Sequence, residues 1–304
     1  MRSRAKFEVG NRFVVSMAYA LLVCVLGMST LDKVALSRHA RHTPSRRLVL
    51  ECAALAAACA LAPPCAADDD DAEFSKQAYR AGRLFNLGQY AEAEEAWARI
   101  TRAYPSRALG WQNLATVELV NAASGLELLE LPARGEAAAR LEVAVAHFRT
   151  ATKLRPAAAP DALALNGEGN ALGLLGDYAA ALAAYRSAAD VADRDFEDIP
   201  RANAALTLLQ LGQAAEGAKA AEAIVRRDPA FVDGFAIVAA CRWVQGDRLA
   251  AEAALRRLCA EPTFCALYTA GTDAVRGRWP PRAIAAWSDL LERSQAGATL
   301  AARP

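Results

Sequence analysis

Three groups of side chains carry enough chemistry to suggest a function. Asn113, Asn166, Asn170 and Asn203, with Gln112 beside the first of them, each present a donor and an acceptor at once. That pair of functions can hold the main chain of an extended peptide through paired hydrogen bonds; the alternative is that these amides cap helices or bond within their own scaffold. Asp195, Glu197 and Asp198 form the one acidic cluster of the body, which reads as a solvated link near a helix N-terminus rather than as a cation site. Cys259 and Cys265 flank Glu-Pro-Thr-Phe. In an oxidising compartment their pairing is worth roughly 2 kcal/mol in the chain-entropy model, and buried free thiols are the other reading.

Enzyme chemistry finds little support. Two of the three histidines, His39 and His42, fall in the first 67 residues, which leaves His147 alone beside Phe148, where it reads as structural. There is no phosphate-cradling glycine loop and no nucleophile elbow, so the sequence offers no catalytic residue, no metal site and no cofactor-binding motif. Residues 1–67 carry nine Lys/Arg against three Asp/Glu, leaving 26 basic against 31 acidic residues downstream. A mildly acidic body argues against nucleic acid as a partner, because phosphate binding needs clustered cations.

The elements that must position these side chains repeat along the chain. Leu84-Phe85-Asn86-Leu87-Gly88-Gln89-Tyr90 is followed by Ala93, Trp97 and Pro105, and Leu172-Gly173-Leu174-Leu175-Gly176-Asp177-Tyr178 by Ala181, Tyr185 and Ala188. Gly212 and Gly246 mark two further turns; Gly176, Gly212 and Gly246 stand 36 and 34 residues apart. Each unit reads as two amphipathic helices around a glycine turn. Such a pair cannot bury its own apolar stripe and must stack on the next. Small residues (Ala93, Ala144, Ala181, Gly217 and Ala251) permit close approach, and the aromatics are the knobs. A degenerate last unit holds Gly277, Trp279, Ala283, Trp287 and Leu290, with Pro280 in the first turn of its second helix.

This period resembles the tetratricopeptide repeat (TPR). The resemblance implies an all-α fold, a right-handed TPR superhelix (α-solenoid) of about six repeats near residues 74–107, 108–158, 162–195, 198–231, 232–262 and 263–293. The second repeat carries an insert over 121–136, whose apolar run Leu126, Leu128, Leu129 and Leu131 reads as a loop packed back on the scaffold, with a lid over the groove as the alternative. Residues 68–73 are expected as an acidic flexible start and 294–304 as a flexible end. In TPR proteins the first helix of each pair lines a concave groove, which implies that Gln112, Asn113, Asn166, Asn170, Asn203 and Trp243 face a protein or peptide partner. Repeats that grip the acidic tails of Hsp70 or Hsp90 use a clamp of cations and asparagines. Here Asn170 and Asn203 match the amides, but Asn166, Asp233 and Ile237 stand where cations belong, so the clamp is not expected.

The first 67 residues read as an address. Arg46 and Arg47 precede an Ala/Leu/Cys stretch and Pro-Pro-Cys-Ala-Ala, so that 45–67 resembles a twin-arginine signal. Ahead of it, residues 13–31 run without a charge, enough at about 1.5 Å per residue to cross a bilayer core. This layout followed by TPR units resembles the lumenal TPR proteins of chloroplasts. It implies a non-catalytic scaffold in the thylakoid lumen that assists assembly or maintenance of photosynthetic membrane complexes, touching the membrane only through the presequence or an uncleaved segment 13–31. The alternative is a bacterial envelope TPR protein, periplasmic and anchored by that segment. From the missing cations, an acidic chaperone-tail peptide titrated calorimetrically into the body should give no measurable binding; a tight complex would overturn the argument.

Overall fold

The structure, a computed structural model, describes residues 69–124, 126, 131–156, 159–272 and 274–294. The targeting segments, including Arg46, Arg47 and residues 13–31, lie outside the described residues, as do Leu128, Leu129 and residues 295–304. Among the described residues there are twelve helices and no strand, and no helix is long and apolar enough to cross a membrane. The helices fall into two compact units, one ending at Tyr104 and one beginning at Pro105.

The first unit holds α1 (Asp69–Asn86) and α2 (Tyr90–Ala103), packed on each other. The acidic start expected to be flexible is instead helical from Asp69. Carboxylates in the first turn of a helix oppose its positive end, so acidity there favours the helix. Ala81 and Ala93 are fully buried, and Trp97 and Ile100 nearly so. The Phe74 ring meets Tyr104 edge-on at 5.3 Å, and Phe85 meets Tyr90 at 5.2 Å.

The second unit runs α3 (Ala108–Ser124), α4 (Gly135–Leu154), α5 (Ala162–Leu175), α6 (Tyr178–Val191), α7 (Asp198–Gln210), α8 (Ala214–Arg227), α9 (Val232–Val244), α10 (Arg248–Leu258), α11 (Pro262–Thr269) and α12 (Pro281–Arg293). From α3 to α10 each helix packs on the next in sequence, and first helices also touch across repeats, α3 with α5 and α7 with α9. The glycine turns set this geometry. Gly88, Gly176, Gly212 and Gly246 all have φ between +74° and +86°, the left-handed conformation that ends a helix at little cost only in glycine. The second helix is then started by a cap: Asp177 Oδ1 accepts the Ala180 N–H and Asp247 Oδ1 the Ala250 N–H, each at 3.1 Å.

Aromatic knobs fill places where a helix has no side chain. A Cβ on Gly167 would sit 2.4 Å from Phe148, and one on Gly169 would sit 2.6 Å from Tyr185. Both rings are buried, and the Tyr185 hydroxyl donates to Asn170 Oδ1 at 2.9 Å, which fixes its position. The α5 backbone thus lies against both rings. These glycines are unfavourable for a helix by about 1 kcal/mol each, and the packing they permit offsets that cost.

The second repeat departs from the expected layout. Residues 121–124 continue α3 and residues 135–136 open α4, so the two ends of the anticipated insert are helix. The connection docks on the third repeat: the Ala133 N–H donates to Leu174 O at 2.8 Å, and Pro132 lies against the Gly176 turn. Leu126 and Ala133 join the apolar cluster of Leu141, Phe148, Leu172 and Tyr185. At Leu126 and Ala133 the connection packs on the scaffold.

Two substitutions on α5 test the knob geometry. Gly169→Ala should destabilise by about 1–3 kcal/mol through overpacking against Tyr185, despite its better helix propensity. Gly173→Ala, whose Cβ would come no nearer than 3.7 Å to the Tyr185 hydroxyl, should be neutral or stabilise by up to about 1 kcal/mol; equal thermal midpoints for the two would refute the packing. Ala181, fully buried, gives a third check: Ala181→Trp should lower the midpoint by an amount corresponding to about 1–3 kcal/mol.

Candidate peptide-binding groove

The first helices α3, α5, α7 and α9 make the row on which a guest chain would lie, and the amides expected to hold it are largely turned inward. Asn166 is 1% exposed, and its Oδ1 accepts from Asn203 Nδ2 at 3.0 Å, so this pair ties α5 to α7. Asn170 receives the Tyr185 hydroxyl. Asn113, also buried, donates from Nδ2 to Leu109 O one turn back in its own helix at 3.0 Å. Gln112 is 2% exposed, and its Oε1 is buried without a hydrogen-bond partner. Asn113 and Asn166 are buried in internal bonds, while Asn170 and Asn203 are partly exposed and each bonds within the stack through one amide atom. The physical reason is that first helices must meet one another along the row, and a buried amide there has to find its partner within the stack.

Trp243 departs furthest from the expectation. It is 6% exposed; its Nε1–H donates to Asp289 Oδ2 at 2.7 Å, and the Arg248 guanidinium stacks 3.4 Å from its ring centre. Asp289 belongs to α12. That helix does not continue the stack: its main packing is on α9 and α7, the first helices of the fifth and fourth repeats. Ile284, Trp287 and Leu290 of α12 share one apolar cluster with Leu206 and Leu209 of α7 and Ile237 of α9, and the Arg282 N–H donates to Gln210 Oε1 at 2.8 Å. Trp243, read as groove-lining, is therefore covered by the chain's own last helix. Sequence reasoning missed this because α12 carries the repeat's small and aromatic residues at the right offsets. Its one distinguishing signal is the shortness of the preceding helix, which leaves α11 only 8 residues long.

The segment leading to α12 is anchored on α9 and also on α12, where Trp287 Nε1–H donates to Tyr268 O at 3.2 Å. Arg278 Nη1 bonds Asp233 Oδ2 at 2.8 Å, Arg278 Nη2 reaches Asp233 Oδ1 at 3.2 Å, and the Tyr268 hydroxyl also donates to Asp233. Burial, and next the Asp233 carboxylate, push the Tyr268 phenol above its ordinary pKa, so it stays protonated as a donor. Asp233 stands at a cation position of the chaperone-tail clamp and is committed to this ion pair. Cys259 and Cys265 form a disulfide just before it, bridging the end of α10 to α11.

The remaining reactive groups are also engaged. His147 Nδ1 lies 2.8 Å from Glu118 Oε2, and its ring meets Trp111 at 5.0 Å, joining α4 to α3. Glu197 pairs with Arg201 at 2.9 Å and with Arg227 at 3.0 Å, and Arg227 also pairs with Asp198. Two carboxylates of the acidic cluster are thus neutralised by arginines, and among the described residues no group of His, Cys, Asp and Glu could hold a metal ion. The Cys241 thiol is fully buried, and burial pushes it up to about 12, which removes the thiolate on which reactivity depends.

No family model matches the chain, and no curated protein does. Solved structures do. Pseudomonas aeruginosa pilF is 14% identical, with a TM-score of 0.52 over 76% of this chain and 98% of that one. PilW, a widely conserved type IV pilus biogenesis factor, is 15% identical, with a TM-score of 0.52 over 75% of this chain and 98% of that one. The C-terminal part of a TPR repeat-containing protein from Cytophaga hutchinsonii is 15% identical, with a TM-score of 0.51 over 73% and 75%. Identity at this level speaks to the fold alone, and in its fold this chain is a TPR α-solenoid.

Proposed function

We propose that this protein is a non-catalytic scaffold that holds a protein or peptide partner on the row of first helices. The observation that carries this reading is the commitment of its reactive side chains. His147, Cys241, Glu197 and Asp198 are each taken up by packing or by an ion pair. A solenoid built this way offers surface rather than reaction chemistry. No nucleic-acid or cofactor role is assigned.

For the cellular setting, the bacterial envelope is favoured over the thylakoid lumen. PilW, which shares the fold along nearly its whole length, is a type IV pilus biogenesis factor, and residues 13–31 give this chain a means of anchoring. The lumenal reading, with its role in photosynthetic complexes, rests on residues 1–67 alone.

Affinity capture with the segment from Asp68 onward, from a bacterial envelope extract, should return a discrete protein partner in a fixed ratio. Recovery of the bait alone would count against the scaffold reading. A fluorescent fusion of the full chain should label the cell periphery, and a diffuse cytoplasmic signal would remove the envelope assignment.

A further inference from the structure

The last helix lies on the first helices of the fourth and fifth repeats. From the way it is seated, we infer that the surface of α7 and α9 is a docking site for an amphipathic helix of a partner protein, filled in this structure by α12 of the same chain. The inference deepens the scaffold reading and rests on it.

Three observations carry it. First, α12 leaves the order of the stack. The helices from α3 to α10 each pack on the next in sequence, whereas α12 packs mainly on α9 and α7. Second, the contact is helix-in-groove. Ala283, Ile284, Ala286, Trp287 and Leu290 form the buried face, while Arg282, Ala285, Glu292 and Arg293 face solvent. On the groove side are Leu206, Leu209, Ile237 and Trp243. The polar anchors across the contact are the Trp243 N–H to Asp289 and the Arg282 N–H to Gln210. Third, the chain just before α12 is held on α9 as well as on α12, whose Trp287 N–H donates to Tyr268 O at 3.2 Å. Arg278 and Tyr268 also bond Asp233, and Pro280 stands between that anchor and Pro281, the first residue of the helix. For α12 to leave the groove the Trp287 contact with Tyr268 must open, while the Asp233 pair still holds the tether on α9.

The cis occupant also specifies the partner's chemistry. The site takes a helix with the pattern Ala-Ile-x-Ala-Trp-x-Asp-Leu, as residues 283–290 read. Small residues let the helix approach α9, the aromatic packs against the Tyr268 and Trp279 rings, and a carboxylate two positions later accepts from the Trp243 indole. A partner helix competes with α12, so its apparent affinity is reduced by the fraction of molecules in which the groove is closed.

The test uses the full chain and a fluorescein-labelled peptide of residues Trp279–Ser294, followed by anisotropy. Wild type should bind weakly. The full-chain variant Ile284→Asp/Leu290→Asp, which weakens docking in cis, should bind at least about tenfold more tightly. Adding Trp243→Phe to that variant should lower the affinity again by about tenfold, through loss of the donor to Asp289. Circular dichroism confirms that each variant retains its helix content. Independently of any variant, amide hydrogen exchange on wild type should open α12 before α7 and α9.

Equal binding by wild type and the open variant, no binding by either, or exchange of α12 in one step with α7 and α9 would overturn the inference. So would a dimer of the open variant that excludes the peptide, since the occupant would then be a second copy. Peptide failure with a partner still captured leaves the scaffold reading standing, whereas an empty capture with tight peptide binding counts against the scaffold role and leaves the helix site intact.

Discussion

Helix axes in this protein come close because selected positions carry almost no side chain. The α5 backbone passes against the Phe148 and Tyr185 rings only because residues 167 and 169 are glycines, and Ala93, Ala144, Ala181 and Ala251, all fully buried, do the same elsewhere. Close approach brings many atoms into contact, and dispersion is small per atom pair but large in sum. A solenoid has no single central core, so its stability is the sum of such local seams, each between neighbours. An excess methyl group at one seam strains that seam first.

The polar groups follow from the same constraint. When first helices meet along a row, amides that would otherwise face water are enclosed, and Asn166 and Asn203 satisfy one another across two repeats. The ion pairs divide by position. Arg149 with Glu168, its arginine half exposed, contributes little because water screens it. Arg278 with Asp233 is mostly shielded, and removing one member would leave the other in a poor environment for a charge. The strong pair lies at the root of the last helix, where the regular stack ends.

Most of the repeat was legible in the sequence, because its signals are local. A glycine at each turn, an alanine a few residues later and an aromatic after that report on contacts within one hairpin or with the next. The disposition of the amides was not legible. Asn166 and Asn170 have similar neighbours in sequence, yet one bonds across repeats and the other to its own second helix. The helical start at Asp69 was misread because four aspartates in a row suggest a solvated tail, although the same charges suit the first turn of a helix. The position of α12 was hidden for a different reason. Its residues specify what it buries but not the face that receives it, and the change comes from a shortened α11 and the Arg278 anchor.

The contact of Pro132 with the Gly176 turn has a consequence for how this chain can be rearranged. In a regular repeat array any single unit can be duplicated, lost or exchanged, since its ends match those of every other. Here the second repeat reaches beyond its own boundary and rests on the bend of the third repeat, with Ala133 bonded to Leu174. Removing either one alone strips the other of its cover. The smallest segment that keeps this contact when transplanted is therefore the two together, from Ala108 to Val191.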